Sequence, residues 1–277
     1  MRQHMLQIFF SFFPFWAFSQ LVFPLGARYN GVGNATVALP DVFSVFSNPA
    51  CLTGLQASSL GLYTDHRYNM SGMNNVALSY CHVQKEARVA AGIGRYGDEL
   101  LNQTRAEIGF AYKIRLVSLG GGIGYHQLAV AELNTAWNVL FQFGGMAEIT
   151  PKLRYAAHIY NVTRAKTDRL SSSYYPVVMS TGISYLVAKQ VLLLAEVEKS
   201  SLYPVNFKVG IEYTPSRFLV LRTGVNSAPS QGFLGLGIKW KGYGLDYALA
   251  FQNRLGNVHS LSLLFFLPEK KTASPKL

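Results

Sequence analysis

The side chains best suited to catalysis in this sequence are His126 and His158, with Glu107 and Arg154 as charged neighbours. Each alternates with apolar residues, so all four are predicted to face the same inner side of a sheet. A histidine beside a carboxylate can accept and return a proton, which is the chemistry of a hydrolase. No Gly-x-Ser-x-Gly nucleophile elbow accompanies them. Because scattered histidines more often form the polar lining of a cavity, we expect the chain not to be an enzyme.

Metal and cofactor sites have no support in the residue spacing. The two cysteines and six histidines are dispersed and make no ligand cluster. The glycine run Gly120–Gly124 superficially resembles a nucleotide-binding loop, but it lies inside a predicted strand that no helix follows. We therefore expect no metal and no cofactor.

Charged residues of both signs recur on the predicted inner face. Mixed signs indicate internal ion pairs that hold a filled interior, whereas a wide ion-selective pore carries one sign. The residues predicted to be the lumen-facing polar set are Glu107, Arg154, His158, Glu196, Glu212 and Arg222.

The elements that position these side chains are predicted to be strands, because apolar residues recur at every second position. In 205–213 the odd positions are Val, Phe, Val, Ile and Tyr, and the even positions are polar or Gly. The same alternation recurs in about fourteen segments, with aromatic residues at segment ends. Charged residues make up only 14% of the chain, yet no apolar run after the N-terminus approaches the roughly 20 residues of a spanning helix. The sequence therefore predicts an all-β protein, a transmembrane antiparallel β-barrel over Gln56–Phe266.

Both ends of the chain are predicted to lie outside the barrel. The apolar stretch Met5–Phe18 after Arg2 is typical of a secretory signal peptide, 1–19. Residues 267–277 are charged and Pro-containing, and are predicted to form a periplasmic C-terminal tail. Cys51 and Cys81 could pair in an oxidising compartment or stay as buried thiols. These features predict the cell outer membrane as the location.

The net charge of +11 first suggests nucleic acid as a partner. The lysines and arginines are scattered through turns and alternate strand positions, with no basic helix or stripe, so no nucleic-acid binding is expected. Contact with outer-membrane lipid and anionic lipopolysaccharide fits this scatter better.

The stretch Gln20–Leu55 does not alternate and is predicted to fold into the lumen as a plug. The inward positions near 88–96 and 117–126 are mostly Gly, Ala and Ser, which lets another backbone approach closely. Arg28 would be costly inside a lumen unless paired, and an inward glutamate could be its partner. The candidates are Glu107, Glu196, Glu198 and Glu212.

The same stretch resembles the opening of the PorV/PorQ family of Bacteroidetes outer-membrane barrels, which are similar to the FadL fatty-acid transporters. Their mature N-termini read Gly-Ala-Arg, a Gly-x-Gly pair, an acidic residue and then Asn-Pro-Ala-Gly-Leu, and Cys51 stands here where Gly is usual. The resemblance implies a fourteen-stranded barrel, in agreement with the strand count. The matching plug-motif residues are Gly26, Ala27, Arg28, Gly31, Gly33, Asp41, Asn48, Pro49 and Ala50.

Two functions follow from the resemblance. The first is a non-enzymatic accessory of type IX secretion that binds translocon subunits or secreted proteins, with outer loops such as Thr163–Tyr174 as contacts. The alternative is a FadL-like outer-membrane channel for hydrophobic small molecules, with a hydrophobic ligand as its partner. A purely structural reading, in which the motif only seats the plug, also stays open, as do a porin and an outer-membrane hydrolase. Inward Leu140, Tyr160, Leu192 and Leu194 are the candidate lining of an apolar pocket.

Overall fold

The computed structural model describes residues 24–70, 72–132, 135–166, 174–252 and 255–267. The predicted signal peptide 1–19, the first residues of the predicted plug (20–23), most of the tail 267–277 and the centre of the loop 163–174 lie outside the described residues. No helix within the described ranges is long and apolar enough to cross a membrane.

Fourteen antiparallel strands form a closed barrel, which confirms the predicted fold class and strand number. Each strand pairs with its neighbours in sequence, and the last strand pairs with the first. The strands are β1 Ser59–Arg67, β2 Asn74–Gln84, β3 Ala87–Gly97, β4 Leu101–Ile114, β5 Val117–Val130, β6 Ala136–Thr150, β7 Leu153–Tyr160, β8 Val178–Ala188, β9 Val191–Ser200, β10 Asn206–Tyr213, β11 Leu219–Ser227, β12 Ser230–Trp240, β13 Tyr243–Gln252 and β14 Gly256–Phe266.

The alternation in each strand places apolar side chains outside and polar or small ones inside. In β10, Phe207 and Val209 are 58% and 48% exposed, whereas Lys208 between them is 3% exposed. An exposed apolar exterior over a closed barrel is the surface of a transmembrane β-barrel. The predicted aromatic residues at strand ends are exposed as well, as expected for an interfacial girdle. They are Tyr112, Tyr125, Trp137, Tyr213, Trp240 and Tyr243.

The two ends of the barrel differ in the length of their connections. At one end, two-residue turns such as Lys85–Glu86 and Arg115–Leu116 join the strands, and this end also holds Leu55 and Phe266. At the other end, the connections reach the length of 161–177, between β7 and β8. Short turns face the periplasm and longer loops face outward in bacterial barrels, and by this general pattern the end with the longer connections is named here the outer end.

Residues 24–55, named here the N-terminal segment, form three short helices on the inner side of the barrel. They are α1 (Ala27–Gly31) and two 3₁₀ helices, Val42–Phe46 and Pro49–Gly54. The Asp41 side chain accepts a hydrogen bond from the Phe43 amide and caps the first 3₁₀ helix. Asn48 caps the second, with Pro49 in its first turn.

Close approach of the N-terminal segment to the wall depends on inward glycines. A Cβ added at Gly120 would collide with the backbone of Ala50, and one at Gly224 would collide with the backbone of Gly33. Gly33 itself has a φ of 70°, which a residue with a side chain rarely adopts. The predicted small inward residues of β3 and β5 therefore make room for the segment, and the segment lies within the barrel.

Candidate functional site

Arg28 anchors the N-terminal segment to the barrel wall through Glu212 of β10. Its Nε donates to Glu212 Oε2 at 2.8 Å and its Nη2 donates to Oε1 at 2.9 Å, a two-point pair. Its Nη1 donates to the Pro40 carbonyl at 2.8 Å and lies 3.5 Å from Asp41. Burial opposes the charge, but Glu212 and Asp41 outweigh it and raise the pKa of the guanidinium. Of the four predicted glutamate partners, the fold brings Glu212 to Arg28.

The ion pair continues across the neighbouring strands. Arg222 of β11 donates through Nε to Glu212 at 2.7 Å and through Nη1 to Asp246 of β13 at 2.6 Å. Both arginines thus share one carboxylate, in a row of alternating charge that runs from Asp41 to Asp246. Buried charges are tolerated only when they are paired in this way, so the row fixes where α1 sits.

Glu196 of β9 holds the next part of the segment by its backbone. Its Oε2 accepts hydrogen bonds from the amides of Thr36 and Val37 at 2.6 and 2.7 Å. Lys208 of β10 donates to Glu196 at 2.8 Å and to Glu198 at 2.7 Å, and so balances the charge. A wall carboxylate therefore satisfies two buried backbone donors that have no partner within the segment.

The predicted motif residues Asn48, Pro49 and Ala50 also make structural contacts. Asn48 Nδ2 donates to the Val37 carbonyl at 2.8 Å, and its Oδ1 accepts from the Ala50 amide at 3.1 Å. Cys51 is buried beside them as a free thiol, 3.1 Å from the same carbonyl, and burial raises its pKa. Cys81 is free as well, so the two cysteines do not pair.

A second polar cluster surrounds Glu107 of β4, nearer the outer end. Glu107 Oε1 lies 3.0 Å from His126 Nε2 and accepts from the Tyr160 hydroxyl at 3.3 Å, and Oε2 accepts from Gln142 Nε2 at 3.0 Å. Gln142 also donates to the Val45 carbonyl of the segment at 2.8 Å, and its Oε1 lies 3.0 Å from His158 Nε2. The cluster thus joins four strands to the segment.

Arg105 belongs to this cluster, although sequence reasoning did not single it out. Its Nη2 donates to the Phe46 carbonyl at 3.1 Å and lies 3.4 Å from Glu107 Oε1. Its guanidinium also lies over the Phe46 ring, 5.1 Å from the centroid. Because Arg105 stands two residues before Glu107 on β4, the two side chains lie on the same face of the strand. This spacing in the sequence could have identified Arg105 as a member of the cluster.

Arg154 lies elsewhere, and its predicted place beside the histidines is wrong. It sits at the turn end of β7, 40% exposed, with Nε 3.8 Å from Glu148 Oε1. Glu148 pairs there with Lys113 at 3.0 Å as well. The alternation of positions along the strand correctly predicts that Arg154 faces inward. Its position along the barrel axis depends on the strand register, and the register separates Arg154 from Glu107.

The histidines form a packed cluster with aromatic residues. The Tyr160 hydroxyl is 2.5 Å from His126 Nε2, the same nitrogen that meets Glu107, and the rings of Tyr160 and Tyr175 lie edge-on to His126. No serine or cysteine nucleophile contacts His126 in the contacts described. Within the described ranges no three potential metal ligands gather in one place.

An apolar group lies next to the Glu107 cluster at the outer end. Leu140, Tyr160 and Tyr175 are buried together, with Ala165 and Val178 packed against them. Tyr175 comes from the connection after β7, and its carbonyl accepts from Asn161 Nδ2 at 2.9 Å. Of the predicted apolar lining, Leu140 and Tyr160 meet here, whereas Leu194 packs against the N-terminal segment with Leu192 beside it. The predicted pocket residues therefore divide between two places.

Solved structures of other barrels share this architecture. The CymD monoaromatic hydrocarbon channel superposes with a TM-score of 0.72 at 15% identity, over 91% of this chain and 100% of that chain. The Ralstonia pickettii toluene transporter TbuX gives 0.73 at 14% identity, over 90% and 100%. The Pseudomonas putida toluene transporter TodX gives 0.68 at 13% identity, over 88% and 98%. At these identities the likeness establishes the fold.

Comparison of sequences alone adds nothing to this likeness. No family model matches the chain, and no curated protein sequence matches it.

Proposed function

We propose that this protein is an outer-membrane channel for small hydrophobic molecules and that its N-terminal segment is the plug of the lumen. The observation that carries the proposal is the shared architecture, a closed fourteen-stranded barrel that matches the whole length of the CymD monoaromatic hydrocarbon channel and of the toluene transporter TbuX. The apolar exterior supports placement in the outer membrane.

The arrangement inside the barrel supports a selective passage more than an open pore. The segment touches the wall through Thr36 at β9 and through Val42 at β2, seven strands apart in the closed barrel, and the facing glycines leave it no clearance. A water-filled pore needs an open lumen with polar lining. A barrel filled in this way passes a solute only along the edge of the plug or after the plug shifts.

The apolar group at the outer end supports a hydrophobic solute. Leu140, Tyr160 and Tyr175 are at most 4% exposed and lie beside a buried polar cluster, so a solute would enter this apolar group only after its side chains move apart. That composition is typical of sites for small organic ligands.

The secretion accessory, which the sequence analysis placed first, has less support than the channel. Its argument was the N-terminal motif, and the residues of that motif make contacts that seat the segment: Arg28 binds Glu212, and Asn48 binds Val37. These contacts account for the motif without a partner protein. The solved structures of the same fold favour the channel.

The two functions separate in one purification. The tagged protein is extracted from outer membranes in mild detergent, and the sample is analysed by mass spectrometry for proteins and small molecules. The channel predicts the barrel alone, which then binds an added monoaromatic hydrocarbon saturably. Recovery of a stoichiometric translocon, with no saturable hydrocarbon binding, would contradict the channel. A Leu140→Asn variant tests whether the outer apolar group is the binding site, and it is expected to bind less hydrocarbon.

A further inference from the structure

The lipid-facing side of β2–β5 carries a depression that the lumen does not account for. Small residues form its floor, Ala91 on β3, Ala106 on β4 and Gly121 on β5, and its volume is about 880 Å³. Volumes of roughly 300–1,000 Å³ are typical of sites that hold small organic molecules or lipid chains. The surrounding wall is mostly apolar and aromatic, although Glu107, whose carboxylate contacts His126 and Gln142, also borders it. It includes Leu78, Tyr80, Ile93, Ile108, Phe110 and Ile123.

Polar side chains gather at the outer end of the depression. Arg95, exposed and outward-facing, lies two residues before β3 ends at Gly97. It pairs across the sheet with Thr104, which pairs with Gln127 on β5. The Tyr125 hydroxyl, at the edge of the depression, donates to Gln127 Oε1 at 3.1 Å. A cation and polar side chains thus stand directly above an apolar groove.

The depression does not open into the lumen. The register between β2, β3, β4 and β5 runs without a shift, so the hydrogen-bonded wall is continuous there. Phe46 of the N-terminal segment packs against the inner side of that wall at Gly92. Any occupant therefore comes from the membrane.

We propose that this depression binds one lipopolysaccharide molecule, with an acyl chain in the groove and a lipid A phosphate on Arg95. The chemistry fits because the groove is apolar along its length and positive at its outer end, and Arg favours phosphate through its planar set of donors. Exposed Asp98 and Glu99 follow Arg95, but Asp98 Oδ1 is engaged by the amides of Leu100 and Leu101 at 2.9 and 3.1 Å.

The position of Arg95 selects the lipid source. The longer connections mark the outer end, and the outer leaflet at that end is where lipopolysaccharide resides. This inference goes beyond the proposed channel and depends only on the barrel's placement and orientation in the outer membrane. A barrel with no channel activity would still bind the lipid here.

The test measures lipopolysaccharide retained by the full-length protein after extraction in mild detergent and repeated washing, counted per barrel by native mass spectrometry. Arg95→Gln removes the cation, and Gly121→Leu fills the groove, where an added Cβ meets its nearest atoms at 3.6 and 3.7 Å, without a clash. Each variant is expected to retain roughly tenfold less lipid, which corresponds to about 1.4 kcal/mol.

Two control variants make the same chemical changes elsewhere on the lipid-facing surface. Lys199→Gln removes an outward cation at the outer end of β9, and Gly145→Leu adds a side chain on β6 where the nearest atoms also lie at 3.7 and 3.8 Å. Both controls are expected to retain lipid as the wild type does. Folding is checked by heat-modifiable mobility on gels, which also separates loss of the barrel from loss of the site.

Four results would overturn the inference. Equal retention by wild type, Arg95→Gln and Gly121→Leu would mean that the depression is not the site. Equal loss from the controls would mean diffuse attraction to the basic surface. Retention of phospholipid in place of lipopolysaccharide, or a stable pair of barrels with no lipid, would identify a different occupant.

Discussion

Arg28 and Glu212, which stand 184 residues apart in the sequence, hold each other inside the barrel by two hydrogen bonds of 2.8 and 2.9 Å. The same glutamate also accepts from Arg222 at 2.7 Å. A side chain of the N-terminal segment is therefore part of a charge row built by the wall. Since each member depends on the next, the segment and the wall form one polar network.

Replacing Arg28 by Met should loosen the segment without unfolding the barrel. The change leaves Glu212 paired with Arg222 only, so we expect the seating of the segment to weaken by about 1–3 kcal/mol, the cost of leaving a buried partner under-satisfied. Hydrogen exchange should rise in 27–55 and stay unchanged in β10. The exposed turn residue Lys152 supplies the control Lys152→Met. Unchanged protection of 27–55 would show that the pair does not hold the segment.

Neighbouring glycines on β5 should respond in opposite ways to the same substitution. Gly120 faces the segment, and a Cβ there collides with the backbone of Ala50, whereas Gly121 faces the lipid with room for one. We expect Gly120→Val to displace the second 3₁₀ helix and Gly121→Val to leave it in place. Limited proteolysis of the folded barrel, with cleavage near residues 49–54, distinguishes them. Equal resistance of the two variants would contradict the close contact.

Cys51 should make stability fall at high pH. Because burial raises the pKa of its thiol in the folded protein, only the unfolded chain ionises above roughly pH 8.5, and the free energy of unfolding should drop by about 1.4 kcal/mol per pH unit beyond that point. Below pH 8 the contribution is fully present and constant. Urea unfolding at pH 8 and pH 10 checks this against Cys51→Ala, which lacks the titration. Identical pH slopes for the two proteins would refute it.

The fold could be predicted from the sequence because strand geometry has a period of two. The lipid-facing side requires an apolar residue at every second position. The alternation in segments such as Asn206–Tyr213 therefore predicts both that they form strands and which of their side chains face the lipid. The lack of alternation in 24–55 likewise separated the segment from the wall. Small inward residues such as Gly120 indicated where a second backbone fits.

The contacts inside the barrel could not be predicted in the same way. The odd or even position of a residue along a strand predicts which face it lies on, but not how far along the barrel axis it lies. Four glutamates were therefore equal candidates for the partner of Arg28. For the same reason Arg154 was wrongly placed beside Glu107. The position along the axis follows from strand register and from the path of the segment, which are properties of the closed barrel. Tyr175 lies in an irregular connection whose residues follow no repeating pattern. Its packing against His126 therefore could not be predicted from the sequence.

The apolar group at the outer end should control the solute if the protein is a channel. Leu140→Asn keeps the number and branching of the side-chain heavy atoms but replaces two methyl groups by a polar amide, and loss of the apolar surface should lower hydrocarbon uptake by roughly tenfold or more, in line with the roughly 1.5–3 kcal/mol of a buried leucine. The adjacent residue Phe141 faces the lipid, so Phe141→Leu is the control. Equal uptake by both variants would exclude this group from the passage.

The most direct test of the proposed channel is uptake of a radiolabelled monoaromatic hydrocarbon by intact cells with and without the protein, with a hydrophilic sugar of similar size as the reference solute. Intact cells are needed because the outer leaflet itself resists hydrophobic solutes, a barrier that simple phospholipid vesicles lack. The account predicts that hydrocarbon uptake depends on the protein, saturates and falls in Leu140→Asn, while sugar uptake stays unchanged. Hydrocarbon uptake that is equal with and without the protein would contradict it.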